Sequence, residues 1–195
     1  MYAKSLTPNQ SNFLKMNTVQ DDNRRLEDWI AAMAQSDKTA LSELYLKTRS
    51  AVYGFALSIL RNPQDAEDVL QDTYIRLYAS AGSYRAQGKP MAFVLTIARN
   101  LSLMKLRQRG RAAELSDEGW AALPATGSMA PEERLLLQSC MNRLADTERQ
   151  VVVLHAVAGL KHKEIAELMH LPLSTVLSKY NRAVGKLKSF YQEGE

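Results

Sequence analysis

The residues of this chain able to act on another molecule are mostly charged, and they are segregated. Residues 95–112 carry Arg99, Lys105, Arg107, Arg109 and Arg111 and no acid. Residues 174–190 carry Lys179, Arg182, Lys186 and Lys188, again with no acid. Residues 62–79 reverse the balance, with Asp65, Glu67, Asp68 and Asp72 against Arg76 alone. Two basic segments suit a polyanion, and the acidic one suits a basic protein. The net charge of +4, from 25 Lys+Arg and 21 Asp+Glu, conceals this separation. Catalytic chemistry has no comparable signal. Cys140, His155, His162 and His170 lack the close pairing of a metal site. No phosphate loop or nucleophile elbow is present. The expectation is a binding protein rather than an enzyme, with no metal and no cofactor.

Those charges need a scaffold. The 195 residues allow one large domain or two small ones, and 46% hydrophobic with 24% charged residues is ordinary for a globular protein. A disordered chain, a collagen repeat and a disulfide scaffold are excluded. Cys140 is the single cysteine and forms no internal disulfide, which fits a reducing compartment. No signal-peptide or membrane-spanning run appears, so the chain reads as cytoplasmic, without direct membrane insertion.

The apolar spacing is helical and no strand pattern is convincing. Residues 1–23 read as a polar tail, with Met16 an alternative start. Leu26, Ile30 and Met33 predict a short first helix, and Leu41, Leu44, Tyr45, Val52, Phe55, Ala56 and Ile59 a long second one. Asn62-Pro63 predicts a stop and a capped start, leading to a helix that runs to about Ala79. Residues 80–89 predict a loop, and Pro90 opens a fourth helix ending near Gly110. Residues 112–131 predict a flexible acidic linker, in which Trp120 and Leu123 have no assigned role. Thr147-Glu148-Arg149-Gln150 matches a capping box. A short helix over 161–169, a turn at 171–174 and a last helix from Thr175 to about Tyr191 follow. The predicted fold is all-α: two small helical domains, 24–111 and 132–195, joined by that linker.

Helical wheels place the charges. On the last helix Thr175, Ser178, Lys179, Arg182 and Lys186 share a face opposite Val176, Tyr180, Ala183 and Leu187. A short helix, a tight turn and a basic helix make a helix-turn-helix plan for the major groove. On the fourth helix Val94, Ile97, Ala98, Leu101 and Met104 predict the core stripe, leaving Arg99, Asn100 and Arg107 elsewhere. On the third, Ala66, Leu70, Thr73, Tyr74 and Leu77 predict the core face. Val69 and Ile75 then lie beside Asp65, Asp68 and Asp72, which suggests a protein contact.

These segments carry a family resemblance. Residues 65–78, Asp-Ala-Glu-Asp-Val-Leu-Gln-Asp-Thr-Tyr-Ile-Arg-Leu-Tyr, resemble conserved region 2 of bacterial sigma factors of the extracytoplasmic-function (ECF) group, in the sigma-70 family. Residues 92–101 resemble the end of that region. The stretch from Leu144 through Glu164-Ile165-Ala166-Glu167-Leu168 to Ser174-Thr175-Val176 resembles region 4. The resemblance implies a factor that binds core RNA polymerase and directs promoter-specific transcription initiation. It places Asp65, Asp68, Gln71, Asp72 and Ile75 on the β′ clamp coiled coil, and region 4 on the β flap. It gives recognition of the −35 element to Ser174, Thr175, Ser178, Lys179, Arg182 and Lys186. Capture of the melted −10 element falls to the loop residues Ser83, Tyr84, Arg85, Gln87 and Lys89, with Arg99, Asn100 and Arg107. Tyr84 can stack on a base or pack beneath the loop. The resemblance also implies an anti-sigma partner, and a linker that lets the domains move between clamped and extended forms.

The chain departs from the family pattern at three places. His170 stands where the turn usually has Gly, Leu177 and Val184 where the last helix usually has a base, and Phe93 where Trp is common. Two other readings fit the charge pattern: a DNA-binding regulator acting without polymerase exchange, and a decoy that sequesters an anti-sigma factor. The first has no need of Asp68, Asp72 and Ile75. The second tolerates loss of Arg99, Asn100 and Lys179.

Overall fold

A computed structural model describes residues 8–109 and 131–193. Within them the chain forms eight α-helices and no strand. The predicted linker, with Trp120 and Leu123, lies outside the described residues. The helices are α1 (Pro8–Ala34), α2 (Lys38–Leu60), α3 (Pro63–Ser80), α4 (Pro90–Arg109), α5 (Pro131–Asn142), α6 (Asp146–Ala156), α7 (His162–Met169) and α8 (Leu173–Glu193). Helix α1 is longer than the sequence predicts, because the polar run before Arg24 continues it.

Helix α2 is the axis of the N-terminal half. Val52, Tyr53, Gly54, Phe55, Ala56, Leu57 and Ser58 are buried in succession, so this part has no solvent face. Such a helix needs neighbours on every side, and α1, α3, α4 and α6 supply them. Truncating Phe55 to alanine there removes about 3–5 kcal/mol. Thr48 and Tyr74 join α2 to α3 through their hydroxyls at 2.7 Å.

The helix ends follow local rules. Asn62 is extended and its Oδ1 accepts the Asp65 N–H at 2.9 Å, with Pro63 opening α3 as predicted. Asp37 caps α2 by accepting from the N–H groups of Thr39 and Ala40. The predicted box at 147–150 is displaced. Helix α6 starts at Asp146, and Glu148 reaches back to accept the Ala145 N–H at 3.3 Å. Thr147 is already inside the first turn and does not cap. Arg149 is buried and donates to the carbonyls of Met141 at 3.0 Å and Leu144 at 2.7 Å, closing the turn after α5.

In the C-terminal half, α7 and α8 form the helix-turn-helix. His170 takes the left-handed conformation at φ 56°, and its N–H bonds back to Glu167. Helix α8 begins at Leu173, two residues earlier than predicted, since Pro172 already supplies the first carbonyl to Val176. Val176 and Ala183 are fully buried against the domain. The halves touch: α6 packs on α2 and α7 lies near α4.

Candidate functional site

The loop after α3 is held by α1. Ala81–Ser83 make a single 3-10 turn. Glu27 of α1 then accepts from the Tyr84 hydroxyl at 3.0 Å and from the Gly88 N–H at 2.8 Å. Asn23 donates to the Gly88 carbonyl at 3.2 Å. Gly88 needs its positive φ of 71°, the region that glycine enters at little cost. The Tyr84 ring leans on Phe93 with centroids 4.9 Å apart. So Tyr84 packs under the loop, and burial followed by the Glu27 carboxylate raises its phenol pKa well above the ordinary 10.0.

This loop and the first turns of α4 enclose a cleft of about 470 Å³. Ser83, Tyr84, Arg85, Gln87, Lys89, Arg99 and Asn100 line it together. Three cations face it, with four neutral hydrogen-bonding side chains, Ser83, Gln87, Thr96 and Asn100, and an aromatic floor of Tyr84 and Phe93. That combination has the chemistry to take a backbone phosphate and an unstacked base at once. Arg107 is not among the lining residues. It lies about 10 Å further along α4 at 1.5 Å per residue.

The cleft has a second wall that local sequence patterns do not reveal. Glu164, Glu167, Leu168 and His170 of the helix-turn-helix face it. Glu167 bridges Lys89 at 2.7 Å. The bridge raises the Lys89 ammonium above 10.5 and holds the Glu167 carboxyl below 4.5.

Helix α3 presents the second surface. Asp68, Gln71 and Asp72 are exposed, and Ile75 is 67% exposed. Ile75 is thus an open aliphatic side chain among exposed carboxylates, on the face expected to meet another protein. Two expectations for this helix need correction. Val69 is buried at 2%, within a wider core face than predicted. Asp65 is buried at 7% and meets Lys105 of α4 at 3.1 Å, while the same ammonium also bonds Asp68. On α4 the core stripe includes Leu95 rather than Met104, which is exposed.

Helix α8 is the third surface. Ser174, Ser178 and Arg182 are exposed, whereas Thr175, Lys179 and Lys186 are half-buried at its edge. Lys186 is held there by Glu148 of α6, 1% exposed, which bonds it at 2.7 Å and lies 4.0 Å from Arg182. Burial would raise the Glu148 carboxyl, but Lys186 and the Ala145 N–H outweigh it and hold it below 4.5. Behind α8, His155 and His162 stack with centroids 4.4 Å apart, and the Tyr180 ring meets both edge-on.

Comparison with known proteins identifies the family. The Sigma-70 region 2 model matches residues 44–112 and the Sigma-70, region 4 model matches residues 134–187. An ECF RNA polymerase sigma factor SigK from Mycobacterium sp. (strain KMS) is 31% identical over 172 residues, covering 84% of this chain and 89% of its own length. The chain belongs to the ECF group of sigma factors. SigK from Mycobacterium tuberculosis (strain ATCC 25618 / H37Rv) is 28% identical over 84% of this chain and 92% of its own. Two solved structures share the fold. The sigma factor RpoE of Bartonella quintana, in complex with the anti-sigma factor NepR, has a TM-score of 0.65 at 23% identity, covering 77% of this chain and 96% of its own. CnrH, in complex with the cytosolic domain of CnrY, has a TM-score of 0.61 at 22% identity, covering 88% and 99%.

This sigma factor is therefore a transcription-initiation factor. Its fold unites seven of the eight residues expected at the −10 element in one cleft. It leaves four of the five expected on polymerase exposed on α3. Local sequence patterns gave no such role to Glu27, Glu148 and Glu167, because each is engaged by residues far away in the chain, Tyr84 and Gly88, Lys186, and Lys89. Among the described residues, no helix is long and apolar enough to cross a membrane and no group of three metal-ligating side chains forms.

Proposed function

We propose that this sigma factor binds core RNA polymerase through the exposed face of α3 and reads a two-element promoter. Asp68, Gln71, Asp72 and Ile75 meet the β′ clamp coiled coil, and the C-terminal domain meets the β flap. The cleft captures an unpaired base of the −10 element, and α8 enters the major groove at the −35 element. Residues 24–111 then serve as the melting domain, 132–195 as the duplex-reading domain and 112–131 as the linker between them, in the cytoplasm.

The observation that carries this reading is the shared cleft. Arg85, Lys89 and Arg99 supply phosphate neutralisation, Gln87 and Asn100 supply base-edge hydrogen bonds, and Phe93 supplies a stacking surface. Unstacking a base costs a few kcal/mol, and such a set returns it. The Lys89–Glu167 bridge crosses the cleft, so on this reading it opens when the base enters. An anti-sigma factor is a further partner, because RpoE and CnrH were each solved with a second protein, NepR named as an anti-sigma factor.

The test is transcription in vitro with bacterial core polymerase and genomic DNA of the host, mapping the 5′ ends. Discrete starts sharing two spaced elements are expected. Ile75→Glu should lower them at least about tenfold, the loss of one interface anchor. Its side chain is open to solvent, so the fold survives. Binding to DNA without core, and no new starts with it, would replace this reading with that of a DNA-binding regulator.

A further inference from the structure

The outward face of α8 carries few cations over its first turns: Arg182 stands exposed at one side of it and Lys188 only near the C-terminal end. At about 100° per residue, the exposed arc is centred on Ser174, Leu177, Ser178 and Asn181, all of them exposed. Leu173 and Leu177, one turn apart, are 44% and 41% exposed. Lys179 and Lys186 are turned toward the domain, and Glu148 holds Lys186 there. Over residues 173–181 the outward arc therefore presents leucine, serine and asparagine, with Lys179, Arg182 and Lys186 along one margin.

That distribution has a consequence for a helix that enters a major groove. Cations along one margin reach the phosphates of one groove wall, and the central residues meet the base edges. An apolar side chain has one favourable target on those edges, the C5-methyl group of thymine. Asparagine has a bidentate target, the N7 acceptor and N6 donor of adenine. Leu177 and Asn181 are four residues apart, a rise of about 6 Å, which spans neighbouring base pairs. From Leu173 to Gln192 the helix has no carboxylate to repel the backbone.

We infer that Leu177, supported by Leu173, reads a thymine methyl and that Asn181 reads a nearby adenine. The upstream element then contains A·T pairs under the centre of α8, discriminated by shape and amide bonding rather than by arginine on guanine. This rests on the proposed entry of α8 into duplex promoter DNA and adds which bases it selects. The occupant is duplex DNA because α8 is the second helix of a helix-turn-helix, its cations line one margin of the outward arc and no acid interrupts it from Leu173 to Gln192.

The experiment uses the full chain with core polymerase on a synthetic promoter taken from the mapped starts. Each thymine of the upstream element is replaced in turn by deoxyuridine, which lacks only the methyl. Each adenine is replaced by 7-deaza-adenine, which lacks N7. Wild-type initiation should fall about fourfold at one or two deoxyuridine positions, the worth of one methyl contact. It should fall about tenfold at one 7-deaza-adenine. Leu177→Ala should lower initiation on the normal promoter and abolish the deoxyuridine effect, and Asn181→Ala should do the same for 7-deaza-adenine. Both side chains are exposed, and unchanged thermal unfolding establishes that the variants fold. Indifference of the wild type to every deoxyuridine, or full deoxyuridine sensitivity in Leu177→Ala, overturns the inference while leaving the promoter reading intact. If Leu177→Ala lowers initiation equally on every template, the leucines contact protein instead, which also overturns it. Absence of any mapped start overturns the promoter reading and this inference together.

Discussion

The two halves of this molecule use one device and apply it to opposite ends. In each, an acid in the first turn of a helix is buried and captured by a lysine from the last helix of the same half. In the N-terminal half Asp65 of α3 takes Lys105 of α4, and in the C-terminal half Glu148 of α6 takes Lys186 of α8. The N-terminal pair leaves the cations of the cleft untouched, and Lys105 also bonds Asp68 at the edge of the acidic face. The C-terminal pair withdraws a cation from the recognition helix itself. The same stabilising contact therefore draws on the edge of the acidic face in one half and on the recognition helix in the other.

The comparison can be broken most forcefully at Glu148. Glu148→Ala leaves the half-buried Lys186 without its partner and the Ala145 N–H without an acceptor, which should cost about 2–3 kcal/mol. Asp65→Asn should cost less, about 1 kcal/mol, because Asp68 still holds Lys105. Two native reporters separate the halves. Trp29 fluorescence in a Trp120→Phe background follows the N-terminal half, and reaction of the buried Cys140 with a thiol reagent follows the C-terminal half. Urea midpoints that shift equally in both reporters for both variants would contradict the parallel.

The pH responses should diverge. Burial and then His155 hold His162 below 6.5, so the unfolded chain binds its proton first. The C-terminal half should lose stability as pH falls below about 6.5, and again below 4.5 as Glu148 protonates. In the N-terminal half burial lowers the Lys105 ammonium, but Asp68 and Asp65 outweigh it and raise it above 10.5. Burial raises Tyr74 above 10.0. Those folded values exceed the unfolded ones, so that half should lose stability as pH rises beyond 10. 4,4′-Dithiodipyridine labelling of Cys140 from pH 7 to 4, and Trp29 fluorescence from pH 8 to 11.5, check the two directions.

The smallest effect sharpens the same contrast. Gly185 lies within α8, exposed and with open space where a Cβ would sit. Gly185→Ala should stabilise the C-terminal half by about 1 kcal/mol through helix propensity alone. The Cys140 reporter should register it and Trp29 should not.

Helix identity, most helix ends and most buried faces were legible in the sequence because they depend on near neighbours. Asn62-Pro63 opens α3 by local geometry, and Val176 and Ala183 are buried where the period of α8 puts them. The candidate residues of the cleft came from the family resemblance, and the loop and α4, contiguous in the chain, bring seven of them together. The charges were legible as types, but not as free or engaged groups. Asp65 is adjacent in sequence to the acidic face, and only α4 shows that it is buried with Lys105. Lys186 lies on the predicted reading face, and only α6 shows that Glu148 holds it.

The sequence by itself determined the all-helical fold, the order of its elements and the family to which they belong. Periodicity and capping act over three or four residues, which a linear chain displays openly. The tertiary structure alone decided which ionised groups are spent inside the molecule and which are offered outward. Those pairings join residues 37 to 78 positions apart, as Lys105 with Asp68 and Lys89 with Glu167. No local pattern encodes such distances; only the packing of one helix on another brings the charges together.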